Sequence, residues 1–257
     1  MSQLDDLLRD LVVANRILSH EDVVDAYGHI SVRHPDNPKR FFMSRSRAPE
    51  LVELNDLIEF DAEGEPISDK RQPYLERFIH AAIFKARPDV TAVVHAHAED
   101  TLPFGLVAAP LKPVIHSGSF IGGKVPVWDI RKKFGDTNML VTTMAQGRDL
   151  AKCLGHGNVA LMRGHGFAAA ARSIIEVVRL SVYLPRNARV QMNAMLLGGK
   201  LSGKPKPLSK GEIAARAAGY RPHASETWRA WEYWATRAGC ADMIGEPHDA
   251  HDHAPKP

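Results

Sequence analysis

Cysteine is almost absent from this chain. Cys153 and Cys240 are the only two, too few for a disulfide framework and lacking metal-ligand spacing to each other. Long apolar runs are missing as well: none approaches the roughly 20 residues that a membrane-crossing helix needs. Charge of one sign is scarce, with 33 basic against 30 acidic residues and a formal charge of +3. The basic residues are scattered or paired with acids instead of lying in a stripe, so nucleic-acid binding has little support. Signal- or transit-peptide character is lacking too, because Asp5, Asp6 and Asp10 stand among the leucines of the opening segment. A cytoplasmic protein is expected, without membrane or nucleic-acid partners. The hydrophobic residues, 44% of the 257, suffice for one sizeable core.

Leu4, Leu7, Leu8, Leu11 and Val12 recur at helical spacing and predict an opening amphipathic helix. The period then changes. Gly28 to Arg33, Arg40 to Ser44 and Leu57 to Phe60 read as strands, with a turn from Asp61 to Pro66. Tyr74 to Ala86 returns to helical spacing before Pro88, and Val90 to Ala98 carries apolar residues on both faces, as a central covered strand does. Gln146 to Leu154 reads as a helix, Asn158 to Met162 as a strand, and Ala169 to Leu197 as a long helix that Pro185 should kink. Gly198 to Pro207 has a linker's composition. Beyond it, Ser209 with Glu212 resembles a capping box and Ser225 stands where another helix would be capped. Trp228, Trp231 and Trp234 form a stripe on that helix, expected to pack on the domain core, with a subunit contact or lid as the sharper reading. The expected organisation is a main domain over 1–200, a helical extension over 201–245 and a disordered tail over 246–257 holding His248, His251 and His253.

Strand side chains alternate, so His95 and His97 project from one face, about 7 Å apart along the strand, and can grip one ion. With 13 histidines in the chain, a His-x-His pair alone carries little weight. Three further features add to it. Glu76 and His80 stand at an i, i+4 spacing on the helix leading into that strand, bringing a carboxylate near the imidazoles. His165 lies in Arg163-Gly-His165-Gly-Phe167 directly after an apolar strand, where the glycines permit close approach. Three protein nitrogens also leave coordination positions open, as catalysis requires. His80 then reads as a residue that orients its neighbours by hydrogen bonding. The loose Gly-x-Gly-x-x-Ala pattern from Gly155 to Ala160 follows a helix and precedes a strand, the reverse of the dinucleotide-binding order.

With these pieces in place, the chain resembles the class II aldolase and adducin family. The matching segments are Gly28-His-Ile-Ser-Val-Arg33, Glu76-x-x-x-His80, Arg87-Pro-Asp-x-x-Ala-Val-Val-His95-x-His97, Ile115-His116 and Gly164-His165-Gly166, in the family's order over roughly residues 5 to 200. The resemblance implies an α/β fold, a three-layer α/β/α arrangement around a mixed central sheet. It implies a divalent ion on His95, His97 and His165 with Glu76 as ligand or general acid/base, and a homotetramer with sites between subunits. Mn2+, Fe2+, Co2+ and Zn2+ all suit that donor set.

The phosphate-holding positions of the family's sugar-phosphate aldolases are altered here. His29 stands where asparagine is expected, Ser44-Arg45-Ser46-Arg47 replaces a Thr-Pro-Ser-Gly loop, and Tyr74-Leu75 replaces two serines. Guanidinium groups suit a planar carboxylate, whose two oxygens the fork can bond together. These departures, with Val125-Pro-Val-Trp-Asp-Ile130, are similar to the family's decarboxylase branch, which acts on hydroxylated aromatic or pyridine dicarboxylates or on ring-cleavage products carrying a carboxylate. Loss of CO2 leaves an electron pair on carbon that a chelated metal helps to accommodate. On this reading Arg45 or Arg47 holds a carboxylate, Glu76 or His80 delivers the proton, and His29, Ser31, Tyr74 and His116 line the pocket. The rivals are an Fe(II)-dependent oxygenase of hydroxyphenyl acids, an aldolase on an unphosphorylated hydroxy-keto acid, and an adducin-like structural module, against which the intact ligand set argues.

Overall fold

The structure is a computed structural model that describes residues 2–123, 125–201, 205–220 and 225–245. Helix α1 (Gln3–His20) starts at a capping box in which the Ser2 hydroxyl accepts from the Asp5 N–H and the Asp5 carboxylate accepts from the Ser2 N–H. Three antiparallel strands follow, β1 (His29–Arg33), β2 (Phe41–Ser44) and β3 (Leu57–Phe60). Helix α2 (Arg77–Ala86) leads into β4 (Ala92–Ala96), and the short α3 (Leu102–Leu106), β5 (Val127–Trp128) and α4 (Arg131–Phe134) come next. Helix α5 (Met144–Leu154) precedes the hairpin of β6 (Val159–Met162) and β7 (Gly166–Ala171), and α6 (Ile174–Leu201), α7 (Lys210–Gly219) and α8 (Ser225–Arg237) complete the described chain.

The strands form one seven-stranded sheet in the order β3-β2-β1-β4-β7-β6-β5. Only β5 and β6 run parallel, so the sheet is mixed, and β4 is its fully buried central strand. Alternating side chains divide two cores between its faces. Ala92, Val94 and Ala96 of β4 join Leu11 and Ile17 of α1, Val178 and Leu184 of α6 and all three tryptophans of α8. Val93 faces the other way, to Ile79 and Ile83 of α2 and Leu150 and Leu154 of α5. These are the three α/β/α layers expected, and the tryptophan stripe is buried in the main core: Trp231 is 0% exposed. No described helix is long and apolar enough to cross a membrane.

Several boundaries differ from the periodicity. Of Tyr74 to Ala86 only Arg77–Ala86 is helical, and Glu76 occupies the N-cap position instead of the first turn. Ala169 to Ala171, read as helix, belongs to β7, where it pairs with β4 on one side and β6 on the other. Alanine's helix preference is worth only a few tenths of a kcal/mol over most residues, and two flanking ladders outweigh it. Helix α6 continues as one element past Pro185 and past Gly198 to Leu201, so the segment expected as linker begins later. Each added residue of an established helix closes a further hydrogen bond, which offsets about 1 kcal/mol per glycine. The Ser209–Glu212 capping box forms as expected. The capping role of Ser225 and the tail over 246–257 lie outside the described side chains and residues.

Candidate metal centre

β4 ends at the site. His95 is its fourth residue and His97 follows its last, and the register of β4 with β7 brings the turn holding His165 alongside. That turn needs its two glycines. Gly164 adopts φ +65°, and a Cβ on Gly166 would stand 2.1 Å from the Ala96 carbonyl oxygen, an impossible approach for any other residue. Glu76, at the N-terminus of α2, closes the group, and the ligand atoms of Glu76, His95, His97 and His165 all lie within 4.8 Å of one another.

Hydrogen bonds settle which imidazole nitrogens face inward. Nδ1 of His95 meets the Phe167 carbonyl oxygen at 3.0 Å and Nδ1 of His97 meets Oδ1 of Asp25 at 3.2 Å. Carbonyl and carboxylate oxygens only accept, so both Nδ1 atoms carry the hydrogen and both Nε2 atoms carry a lone pair. Those two Nε2 atoms are 3.0 Å apart. Nε2 of His95 and of His165 each lie 3.4 Å from Oε2 of Glu76, whose Oε1 accepts from the Val141 N–H at 2.9 Å. Converging lone pairs repel one another unless a cation lies between them. Ligand atoms bonded to one ion at about 2.1 Å stand about 3 to 3.5 Å apart, which these separations match. Three nitrogens and a carboxylate therefore fit a divalent transition metal. Burial raises the Glu76 carboxyl, yet in the metal-free site a proton held on His95 or His165 outweighs it and keeps the group well below the usual carboxylate range, a part that a bound cation would take over.

A second network lies beneath. Nδ1 of His29 and Nε2 of His80 are 2.7 Å apart, and Oγ of Ser31 lies 2.6 Å from Nδ1 of His80. Burial first, and then the neighbouring histidines, push His29 well below its ordinary value; burial and His95 push His80 down to about 3, so both are neutral at pH 7. His80 thus touches the site through His29, whose ring centre is 5.2 Å from that of His95.

The arginine loop is organised around a residue that carries no sequence signal. Asp56, buried at the start of β3, receives Nε of Arg45 at 2.7 Å and Nη1 of Arg47 at 3.0 Å. Tyr74 joins this loop to the histidines: its hydroxyl donates to the Arg47 carbonyl and accepts from Ser44 Oγ, and its ring centre lies 4.6 Å from that of His29. His29, Ser31, Tyr74, Arg45 and Arg47 therefore belong to one network of contacts that runs through His80 and Asp56. His116 is not brought to it. It is exposed and opens a short 3-10 helix (His116–Ile121) packed against α6 and α7.

Comparison with known proteins agrees with this architecture. The family described as Class II Aldolase and Adducin N-terminal domain matches residues 9–192. Decarboxylase tropJ of Talaromyces stipitatus is 37% identical over 204 residues, 74% of this chain and 77% of that protein. The 3,4-dihydroxyphthalate decarboxylase of Arthrobacter keyseri is 26% identical over 211 residues, covering 76% and 81%. Among solved structures, an aldolase II superfamily protein from Pseudomonas syringae superposes with a TM-score of 0.76 at 20% identity, covering 98% of each chain. The chain belongs to the class II aldolase and adducin family. It is an enzyme of the lyase type.

Proposed function

We propose that the protein is a divalent-metal-dependent decarboxylase of a hydroxylated aromatic or pyridine dicarboxylate, or of a related ring-cleavage product, acting in cytoplasmic aromatic catabolism. The observation that carries this is the junction of two features: a three-histidine, one-carboxylate donor set, and an Arg45–Arg47–Tyr74 cluster where phosphate-holding residues of the family's aldolases would stand. The two decarboxylase relatives support the same reaction type.

His95, His97 and His165 would hold the ion with Glu76, and the ion when bound supplies a Lewis acid for the oxygen ortho to the departing carboxylate. Arg45 and Arg47, pre-aligned on Asp56, offer their remaining N–H groups to a substrate carboxylate. Tyr74 and His29, with ring centres 4.6 Å apart, would line the adjoining side of the substrate. The bond from ring carbon to carboxylate breaks, CO2 departs, and the electron pair left on carbon takes a proton. Glu76, whose Oε2 faces the histidine Nε2 atoms, is ionised at rest and so would pass on a proton that it first takes from water; His80, itself neutral, serves through His29 or holds it in place. A homotetramer or larger homo-oligomer with sites near subunit interfaces is the assembly expected from the family resemblance, testable by light scattering.

The deciding experiment is anaerobic CO2 release by metal-reconstituted protein from a panel of ortho-hydroxy aromatic and pyridine dicarboxylates. Release abolished by a chelator is the expected result. Product formed only when oxygen and Fe(II) are supplied would replace the decarboxylase with an oxygenase, and silence under both conditions would return an aldolase to first place.

A further inference from the structure

We propose that Asp25 is a positioning residue of the metal centre: its carboxylate sets the ring orientation and the tautomer of His97, holding Nε2 of that histidine toward the ion. The inference rests on the reading of Glu76, His95, His97 and His165 as metal ligands.

Oδ1 of Asp25 gathers three donors. It accepts from the backbone N–H of Tyr27 at 2.8 Å and of Gly28 at 3.1 Å, and it faces Nδ1 of His97 at 3.2 Å. The two backbone bonds close the turn that enters β1 at His29, and β1 pairs with β4 so that His29 lies opposite His95. Asp25 therefore joins the entry of one strand to the exit of its neighbour, and both strands carry histidines of the site. A carboxylate against Nδ1–H also increases electron density at Nε2, which strengthens it as a ligand.

The three histidines differ in what orients them. His95 is held by the Phe167 backbone carbonyl, which no substitution removes. Nδ1 of His165 is buried and has no hydrogen-bond partner among the described residues. His97 alone is held by a side chain, so Asp25 is where a substitution can disturb the centre without touching a ligand. Nearby arginines do not compete for it. Asp25 and His97 line a cavity of about 650 Å³ with Arg186, Arg189 and Arg237, but Arg186 and Arg237 pair with Glu21, and Arg189 pairs with Asp100 at 2.6 Å.

The test uses the full chain and Co2+ as probe, with affinity measured by competition against a chromophoric chelator, alongside the visible spectrum of the Co2+ protein. Asp25→Ala should bind Co2+ about 10- to 100-fold more weakly, with an altered spectrum. Asp25→Ser can still accept from the turn N–H groups but is too short to reach His97, and it should show a similar loss. Asp25→Asn keeps an acceptor oxygen for all three donors and should recover most of the affinity and the wild-type spectrum. Wild-type Co2+ affinity in both Asp25→Ala and Asp25→Ser, with only a lower melting temperature of the metal-free protein, would overturn the proposal and leave Asp25 as a turn residue. Asparagine no better than alanine would overturn it as well, since orientation through an acceptor oxygen would not be what matters. If the wild type fails to bind Co2+, the metal reading and this inference fall together. Co2+ binding without CO2 release overturns the decarboxylase alone, and the affinity ratio still decides for Asp25.

Discussion

Two groups of histidines lie side by side in this protein and differ in where their lone pairs go. His95, His97 and His165 direct Nε2 atoms, together with a Glu76 oxygen, at one common space. His29 and His80 close directly on each other at 2.7 Å, and Ser31 occupies the remaining nitrogen of His80, so no space is left between them. Burial does not tell the groups apart, since His80 and His95 are both 0% exposed. The partners on the nitrogens mark the difference most clearly at three rings: His80 has both nitrogens occupied by protein and holds structure, whereas His95 and His97 each bond an acceptor through Nδ1 and leave Nε2 with its lone pair to receive a cation.

The largest effect expected from this contrast is at His97. His97→Ala should lose bound metal and lower kcat/KM by at least about 10³-fold together, because the Lewis acid contributes several kcal/mol and each 1.36 kcal/mol is tenfold. Metal analysis and CO2 release check it, and an active, metal-replete variant would abolish the distinction between the groups. The opposite pattern is expected at His80. His80→Ala should retain metal yet lose about 2–4 kcal/mol of stability in urea denaturation, since it opens a cavity and strands both His29 and Ser31.

The same residue sharpens the contrast through pH. The folded value of His80 is pushed down to about 3 from 6.5, so between these values the unfolded chain binds a proton that the folded chain refuses. Stability in this window therefore rises with pH, and the contribution is lost as pH falls below about 6.5. The metal-free protein should show this slope between pH 5 and 6.5, above the carboxylate range, and His80→Ala should flatten it; an equal slope in both would mean His80 is not held neutral. The smallest effect is expected at the arginine loop. Arg47→Lys keeps the charge but loses the planar fork, and should raise KM about tenfold with metal content unchanged. An unchanged KM would confine Arg47 to its ion pair with Asp56.

The four converging residues were legible because three of the signals are local: His-x-His at strand period, a glycine-flanked histidine, and a glutamate one helix upstream. Their roles against one another were less so. The i, i+4 spacing of Glu76 and His80 suggested two partners on one helix face, but Glu76 precedes the first turn and faces the metal centre while His80 turns to β1. Asp25 and Asp56 went unread because a lone aspartate in a loop has no period; each becomes significant only through the groups that fold onto it. His116 matched a motif and yet stands exposed, away from the histidine network, in the described chain.

Residue order by itself determined the strand and helix periods and the types of residue that could donate to an ion, since these are properties of side chains and their spacing; the exchange of phosphate-holding residues for arginines was legible only through the family resemblance. Tertiary structure decided that three alanines would be strand instead of helix, that α6 would run past its proline and glycines, and that two aspartates would orient a histidine and two arginines. Those outcomes depend on hydrogen bonds and burial between segments far apart in the chain, and no local window contains both partners.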